Sequence, residues 1–343
     1  MNGRDFYTSA NGVDPERPDD LLAPAAEKVY ELADPYIAAA SLSQRDPGKC
    51  LELARRIIAD RPEADPSVPW AHVLVCGVLI EQHKTEEAIG ECQKAIKLDP
   101  RFAIPYINLG AALHDQHKTE EAIAEFRKAT ELDPLIAIPH TGLGNVLRDQ
   151  HKTEEATAEY KKAMKLDPRD AAPHVGLGNV LRDQHKSNEA IAENREAIEL
   201  DPRGALPHKN LAIMLRDQGK TNEAIAENRK AIELDPRDAL PHNNLAIILS
   251  DQGKTNEAIA EYRKAIELDP RDALPHNNLA IILSDQGKTE KEAIAEYRKA
   301  IELDPRDADP HHNLAITLRE QGKTKEATAE DQKAKELGAK HPD

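Results

Sequence analysis

Apolar residues recur along this chain with the period of an α-helix, and the pattern is clearest between Arg237 and Pro270. One apolar stripe, with i, i+3, i+4, i+7 spacing, consists of His242, Leu245, Ala246 and Leu249. A second apolar stripe consists of Ala258, Ile259, Tyr262, Ala265 and Ile266. The pattern predicts two helices, here named helix A and helix B, that form an αα-hairpin.

The residues at the ends of the two stripes favour helix termini. Pro241 suits the first turn of helix A, where a missing N–H costs no hydrogen bond. Gly253 suits the positive φ of a turn between helices, and Thr255 is predicted to be the N-cap of helix B. Helix B is predicted to end at Asp269, because Pro270 disfavours helix in the residue before it. A hairpin of this size cannot bury its own apolar face, so we expect it to stack on others.

The hairpin unit recurs along the chain at a fixed period. A Leu-Asp-Pro sequence closes each copy and begins at Leu98, Leu132, Leu166, Leu200, Leu234, Leu268 and Leu303. The spacing is 34 residues five times and then 35. A chain of 343 residues has room for two domains, but a regular period of this length is typical of a repeat protein.

The unit resembles the tetratricopeptide repeat (TPR) family, whose helix-turn-helix motif repeats every 34 residues or so, roughly the spacing seen here. The residues that match the motif are Ala246, Ala258, Tyr262, Ala265 and Pro270. His242 departs from the motif, because the family has a bulky aromatic residue early in helix A. The resemblance implies an all-α fold, a right-handed superhelical solenoid of stacked hairpins in which helix A lines the concave surface.

The segments outside the regular repeats are assigned to the two ends of the solenoid. Residues 1–23 are rich in Asp, Pro, Asn and Gly and are predicted to form a flexible arm, followed by degenerate capping helices over residues 24–66. The superhelix of about eight repeats is predicted over residues 67–338, with a tail at residues 339–343. The last helix B is expected to cap the array, because Thr328, Asp331 and Lys335 occupy its packing sites.

Helix A residues opposite the packing stripe are expected to line the concave groove, where they form three columns. The amide column consists of Asn108, Asn210, Asn244, Asn278 and Asn313. The aliphatic column consists of Ile213, Ile247, Ile281 and Ile316, flanked by Leu206, Leu240 and Leu274. The acidic column consists of Glu81, Asp115, Asp149, Asp183, Asp217, Asp251, Asp285 and Glu320.

Each column has a binding interpretation and a structural alternative. Amides can hold the backbone of an extended peptide, and the repeat superhelix of O-linked N-acetylglucosamine transferases is similar in having an inner asparagine column. Alternatively, the amides form hydrogen bonds with neighbouring repeats. An aliphatic strip is typical of a binding surface unless neighbouring helices bury it. Carboxylates oppose the dipole at the end of helix A and favour a basic ligand, although duplication or pairing with the lysine three residues later would also explain them.

Two irregularities along the array modify this picture. Asn145 and Asn179 replace isoleucine in the aliphatic column, with Arg148 and Arg182 nearby. The N-terminal half of the groove is therefore expected to prefer polar or acidic partner groups, and the C-terminal half apolar groups. The other irregularity lies at the aromatic site of helix B, where two central repeats carry asparagine, so the middle of the array is predicted to be its least stable part.

Cysteine and histidine are expected to have structural roles. Cys76 and Cys92 occupy core sites of the first full repeat, and with Cys50 they are predicted to be buried and reduced. One histidine column is predicted to pack at the start of helix A and consists of His140, His174, His208, His242, His276 and His311. A second set replaces the turn glycine, since histidine tolerates positive φ, and consists of His83, His117, His151 and His185.

Composition narrows the classes of function. The net charge of −16 is spread over the repeats, so neither nucleic acid nor an anionic membrane surface is an expected partner. No apolar run has the length of a signal peptide or a membrane span, so a cytoplasmic protein is expected. No phosphate-binding, zinc-binding or nucleophile motif occurs, so no metal, no cofactor and no enzyme activity are expected.

The sequence therefore predicts a non-catalytic protein–protein interaction scaffold that binds a peptide or protein segment in the groove lined by helix A. The identity of the partner does not follow from the residues. Two alternatives stay open at this point. The chain could be a recruiting or regulatory subunit for a separately encoded enzyme, or a self-assembling structural scaffold, since nearly identical copies can stack end to end.

Overall fold

The computed structural model describes residue 43, residues 46–286 and residues 290–340. Every regular element within these ranges is an α-helix, and none of these residues lies in a β-strand, so the predicted all-α class is confirmed. The predicted arm at residues 1–23, most of the predicted capping segment at residues 24–66 and residues 341–343 of the predicted tail lie outside the described residues.

The described ranges contain seventeen α-helices. The first nine are α1 (Pro47–Asp60), α2 (Ser67–Glu81), α3 (Thr85–Leu98), α4 (Ala103–Asp115), α5 (Thr119–Leu132), α6 (Ile138–Asp149), α7 (Thr153–Leu166), α8 (Ala172–Asp183) and α9 (Ser187–Leu200). The others are α10 (Ala205–Asp217), α11 (Thr221–Leu234), α12 (Ala239–Asp251), α13 (Thr255–Leu268), α14 (Ala273–Asp285), α15 (Glu290–Leu303), α16 (Asp309–Glu320) and α17 (Thr324–Lys340). Even-numbered helices correspond to helix A and odd-numbered helices from α3 onward to helix B.

The chain divides into two compact units, Met1–Gly176 and Leu177–Asp343. In the first unit, α1 packs on α2, and α3, α5 and α7 each pack on their own helix A. The helices α3 and α5 also pack on the next helix A. Its core includes Leu79, Leu113, Phe126 and Leu143, with fully buried alanines such as Ala122 that let neighbouring helices approach closely.

The second unit is built in the same way and contains α9 to α17. Each hairpin contacts the next through its helix B, and successive A helices also touch each other. Leu211, Leu279 and Leu314 of helix A are almost fully buried, as is Tyr297 of helix B. Stacked hairpins therefore bury the apolar stripe that a single hairpin leaves exposed.

The turns between helix A and helix B use a residue with positive φ, as predicted. The φ angle is 56–60° where histidine occupies the turn and 71–73° at Gly219, Gly253 and Gly322. The N–H of Lys254 donates to the carbonyl of Leu249 at 2.9 Å and closes the end of helix A. The prediction of Thr255 as an N-cap was wrong, because α13 already begins at Thr255 and Lys254 is its N-cap.

Aromatic residues of helix B fill the space between successive A helices. The Phe126 ring lies so close to Gly110 and Gly142 that an added Cβ would be 3.0 Å and 2.5 Å from ring atoms, respectively. Tyr160 lies in the same way between Gly144 and Gly176. Glycine at these helix A sites therefore leaves the space that the ring occupies.

Asparagine occupies the aromatic site in the two central repeats. Asn194 and Asn228 are fully buried, and their Nδ2 atoms donate to the carbonyls of Ala190 and Ala224 at 2.9 Å and 3.1 Å. Within the described part of the chain, neither Oδ1 atom has a hydrogen-bond partner. A buried acceptor without a partner costs free energy, so the predicted weakness of these repeats has a second physical cause.

The prediction that all three cysteines are reduced was wrong for one pair. Cys76 of α2 and Cys92 of α3 form a disulfide, with Cα atoms 5.6 Å apart. The equivalent sites of the next two hairpins face each other, as Gly110 and Phe126 do and as Gly144 and Tyr160 do, so cysteines at these sites are brought together. Cys50 is a buried free thiol. Burial is the main cause that raises the pKa of Cys50 to about 11, with Glu81 and Asp46 adding to it.

Candidate functional site

The amide column forms hydrogen bonds between neighbouring repeats of the second unit. Asn210 Nδ2 donates to Asn179 Oδ1 at 3.1 Å. Two further bonds follow the same direction, from Asn278 to Asn243 at 3.4 Å and from Asn313 to Asn277 at 3.3 Å. These contacts are the structural alternative considered for this column, and they leave part of each amide's hydrogen-bonding capacity unused.

The amides also differ in how much surface they present. Asn210 and Asn244 are 6 % and 7 % exposed, so they offer little area to a ligand, and Asn244 Nδ2 has no partner among the described residues. Asn108 is half-buried. Asn145 accepts a hydrogen bond from the Tyr160 hydroxyl at 2.7 Å, which ties it to helix B of its own hairpin.

The exposed large apolar side chains of the predicted surface belong to the aliphatic column and its flanking leucines. Ile281 and Ile316 are 36 % and 40 % exposed, and the flanking leucines are 38–49 % exposed. Ile213 and Ile247 are half-buried. These side chains lie outside the packed core, because neighbouring residues of the same helices, such as Leu283, already occupy it.

The acidic column changes character along the chain. Asp149 accepts hydrogen bonds from Arg148 at 2.9 Å and from His114 at 2.9 Å. Burial opposes ionisation of this carboxyl, but the bonds from Arg148 and His114 outweigh it and hold the pKa of Asp149 below its usual value. Arginine one residue earlier also contacts Asp183 at 3.4 Å and Asp217 at 3.1 Å.

Two later acids of this column, Asp251 and Asp285, lack an arginine at the preceding site. Serine precedes both Asp251 and Asp285, and both aspartates are exposed. Asp251 forms no ion pair with any residue that the structure describes, so the suggested pairing with Lys254 is not formed. Conversely, Arg148 and Arg182 already contact carboxylates, which lowers their capacity to bind an acidic partner.

A histidine–glutamate pair links the two helices of most hairpins, and sequence reasoning missed it. The Nδ1 atom of the helix A histidine lies 2.5–2.6 Å from a glutamate Oε2 atom of helix B. The pairs are His72–Glu91, His140–Glu159, His208–Glu227, His242–Glu261, His276–Glu296 and His311–Glu330. The signal in the sequence was a glutamate 19 or 20 residues after each histidine. These histidines therefore have a polar role as well as the predicted packing role.

The hairpin of α4 and α5 has no histidine at this site, and it shows what the pairing does to the carboxylate. Tyr106 takes the place of histidine in α4, and its hydroxyl donates to the Pro100 carbonyl at 3.1 Å. Burial, with a contribution from Glu121, raises the pKa of Glu125. Burial acts in the same direction on Glu159, but bonds from a lysine and a histidine outweigh it and lower that pKa.

A cavity of about 1230 Å³ lies in the first unit, where the ends of α3, α5 and α7 meet the starts of α2, α4 and α6. Its lining includes Trp70, Phe102, Ile104, Leu135, Ile136 and Ile138. None of the residues predicted to form the groove lines this cavity. The signal for it was present in the sequence, since apolar residues at 135–138 replace the Arg-Asp-Ala-Leu of residues 237–240.

Two kinds of feature are absent from the residues that the structure describes. No helix there has the length and apolar composition needed to cross a bilayer. No group of three or more histidine, cysteine and acidic side chains in those ranges could hold a metal ion.

The stacked hairpins define a helical-repeat protein. The family description "TPR repeat" matches residues 144–184, 213–253, 248–287 and 285–322, and the description "Tetratricopeptide repeat" matches residues 91–124. Together these segments cover more than half of the chain, which therefore belongs to the tetratricopeptide repeat family. Proteins built from this repeat are typically scaffolds for protein–protein interaction. Comparison with curated proteins gave no match.

Solved structures with a similar fold support the same class. A chain of the APC/C hetero-tetramer Cut9–Hcn1 has a TM-score of 0.67 and 16 % identity, over 94 % of this chain and 64 % of that chain. The protein pilF of Pseudomonas aeruginosa has a TM-score of 0.55 and 24 % identity, over 61 % of this chain and 94 % of that chain. This chain thus spans less than two thirds of the length of the Cut9–Hcn1 chain, and both likenesses concern the fold alone.

Proposed function

We propose that the protein is a non-catalytic scaffold that binds a peptide or protein segment along the A helices of its second unit. The observation that carries this proposal is the exposure of Ile281, Ile316 and the leucines that flank their column. Leu283 and Leu318 of the same helices are almost fully buried, so the core does not require these isoleucines. Apolar side chains left on one face of consecutive helices are typical of a binding surface.

The polar groups beside this column indicate the chemistry of the partner. Asn278 and Asn313 are half-buried and each donates to one neighbouring amide, which leaves further donors and an acceptor for a peptide backbone. Asp251 and Asp285 are exposed and follow serine rather than arginine. The proposed partner segment is therefore extended and apolar, with lysine or arginine near one end.

The protein is proposed to act without a cofactor or metal, to bind neither nucleic acid nor membrane, and to work in the cytoplasm. The net charge of −16 supports the exclusion of nucleic acid and anionic membranes. Disulfides are rare in a reducing cytoplasm, so the oxidation state of Cys76 and Cys92 in protein taken directly from its cells tests the location. A fully oxidised pair there would argue for an oxidising compartment.

Peptides selected from a phage-displayed library on the wild-type protein test the proposed surface. The variant Ile281→Glu plus Ile316→Glu is expected to lose about tenfold or more in affinity for the selected peptides, because each charge lies in the apolar contact. The matched control is Ala260→Glu plus Ala295→Glu, which adds the same charge at exposed sites of helix B. Circular dichroism confirms that both variants keep their helices. Equal binding of the peptides to both variants would place the site elsewhere.

A further inference from the structure

Two connections between hairpins in the first unit carry apolar residues where other repeats carry a capping residue. Asp238 caps α12, and Asp272 caps α14, through hydrogen bonds from the N–H groups of Leu240 and Leu274 at 2.9 Å and 3.0 Å. The equivalent sites before α4 and α6 hold Phe102 and Ile136. Neither α4 nor α6 has a side-chain cap. These helices lose a stabilising contact, so helix stability alone does not explain the apolar residues.

The apolar residues that replace the caps form the wall of the cavity. The rings of Trp70 and Phe102 are tilted against each other, with centroids 4.2 Å apart. Beside them, Leu135 and Ile138 are 59 % and 45 % exposed, although they are large and apolar. The volume of about 1230 Å³ is large enough for several side chains of a ligand, since small-molecule pockets span roughly 300–1,000 Å³.

The rim of the cavity is predominantly negative. Glu63, Asp99, Asp133 and Asp167 line it, whereas Arg101 is the one guanidinium among its lining residues. The three aspartates each use Oδ1 to accept a backbone N–H two residues later, at 3.0 Å. Their Oδ2 atoms accept no hydrogen bond from the described residues, so they are available to a cation.

We propose that this cavity is a second docking site, separate from the A helices of the second unit. Its occupant is a segment of a partner protein that carries bulky apolar side chains flanked by lysine or arginine. The apolar wall accounts for the first feature and the carboxylate rim for the second, because charges around an apolar site select a partner of opposite sign. None of the residues of the first proposed site lines the cavity.

Trp70 makes the cavity directly observable, because the chain contains a single tryptophan and it lines this site. The probe is a short capped peptide in which lysine alternates with leucine and phenylalanine, added to the full-length protein. A saturable change in tryptophan emission is expected for this peptide. Two comparison peptides, with glutamate for every lysine or serine for every apolar residue, are expected to produce no such change.

Variants of the cavity wall establish where the peptide binds. Leu135→Glu plus Ile138→Glu is expected to weaken the emission titration about tenfold or more. The matched control is Ala260→Glu plus Ala295→Glu, which adds the same charge at exposed helix B sites that do not line the cavity. The uncharged variant Leu135→Ser provides a second reading of the same wall, with a smaller loss expected.

Several results would overturn the proposal. Peptide binding detected by anisotropy without a change in Trp70 emission would place the peptide elsewhere on the acidic surface. If the wall variant and its matched control bound the peptide with equal affinity, the peptide would again be placed outside the cavity. A change in Trp70 emission on dilution of the protein alone, in step with its mass by light scattering, would show that a second copy occupies the cavity.

Discussion

Substitution of Gly142 by alanine tests the close packing of Phe126 between successive A helices. An added Cβ would lie 2.5 Å from both Cε1 and Cζ of the Phe126 ring, well inside van der Waals contact. The ring is only 3 % exposed, and Gly110 limits it on the opposite side, so it cannot move away without disturbing α4. Overpacking of this kind costs about 1–3 kcal/mol.

The helix propensity of alanine acts in the opposite direction. Replacement of glycine within a helix stabilises the folded state by about 0.5–1 kcal/mol. The expected net effect of Gly142→Ala is therefore a loss of about 1 kcal/mol, within a range of about 0–2.5 kcal/mol. Gly90→Ala is the matched control, because Gly90 lies within α3 and an added Cβ there meets nothing within 4 Å. That control is expected to gain stability.

Urea unfolding followed by circular dichroism measures both variants. The midpoint of Gly142→Ala is expected below that of the wild type, and the midpoint of Gly90→Ala above it. Hydrogen exchange of α5 and α6 shows whether the loss is local, since the repeats of an array need not unfold together. If Gly142→Ala were as stable as Gly90→Ala, the close contact inferred for Phe126 would be wrong.

Three further predictions concern titration, local stability and thiol reactivity. Glu159→Gln is expected to destabilise the folded protein at neutral pH, and this effect is expected to disappear as pH falls through the lowered folded-state pKa of Glu159. Glu125→Gln is expected to stabilise the folded protein at neutral pH, and this effect is expected to disappear below the unfolded-state pKa of Glu125, where both states are protonated. Urea unfolding midpoints measured across pH test both expectations. Hydrogen exchange in α9 and α11, which carry Asn194 and Asn228, is expected to be faster than in α13 and α15; stronger protection there would contradict the argument. Iodoacetamide at pH 8 is expected to leave Cys50 unmodified in the folded protein, because burial raises the pKa of this thiol to about 11. Mass spectrometry of the treated protein measures the modification.

The period of the sequence was sufficient to predict the hairpins, because helix formation and stacking depend on local spacing. The turn glycines and the replacing histidines follow the same logic, since φ is a property of one residue. Thr255 shows where local reasoning fails: the residue type favoured an N-cap, but closure of the turn at Gly253 placed Lys254 at that position. A shift of one residue is set by the turn as a whole rather than by a single preference.

Contacts between helices could not be read from residue types taken one at a time. The His–Glu pairs join residues 19 or 20 positions apart, and the disulfide joins residues 16 positions apart. Each of these sequence separations is fixed by how helix A faces helix B, so the structure of a single hairpin would have predicted both kinds of contact. The cavity required more, because it depends on three consecutive hairpins and on two replaced caps, Phe102 and Ile136.

The bond between Cys76 and Cys92 also affects how the chain responds to mechanical force. The 16 positions between the two cysteines cannot be drawn out while the bond is intact. A fully stretched molecule is therefore shorter by about 50 Å than the same molecule after reduction, because 16 positions at roughly 3.3–3.6 Å each are replaced by the 5.6 Å between the two Cα atoms. Under tension from its two ends, the chain retains a closed loop at its first full hairpin after every other repeat has been pulled straight.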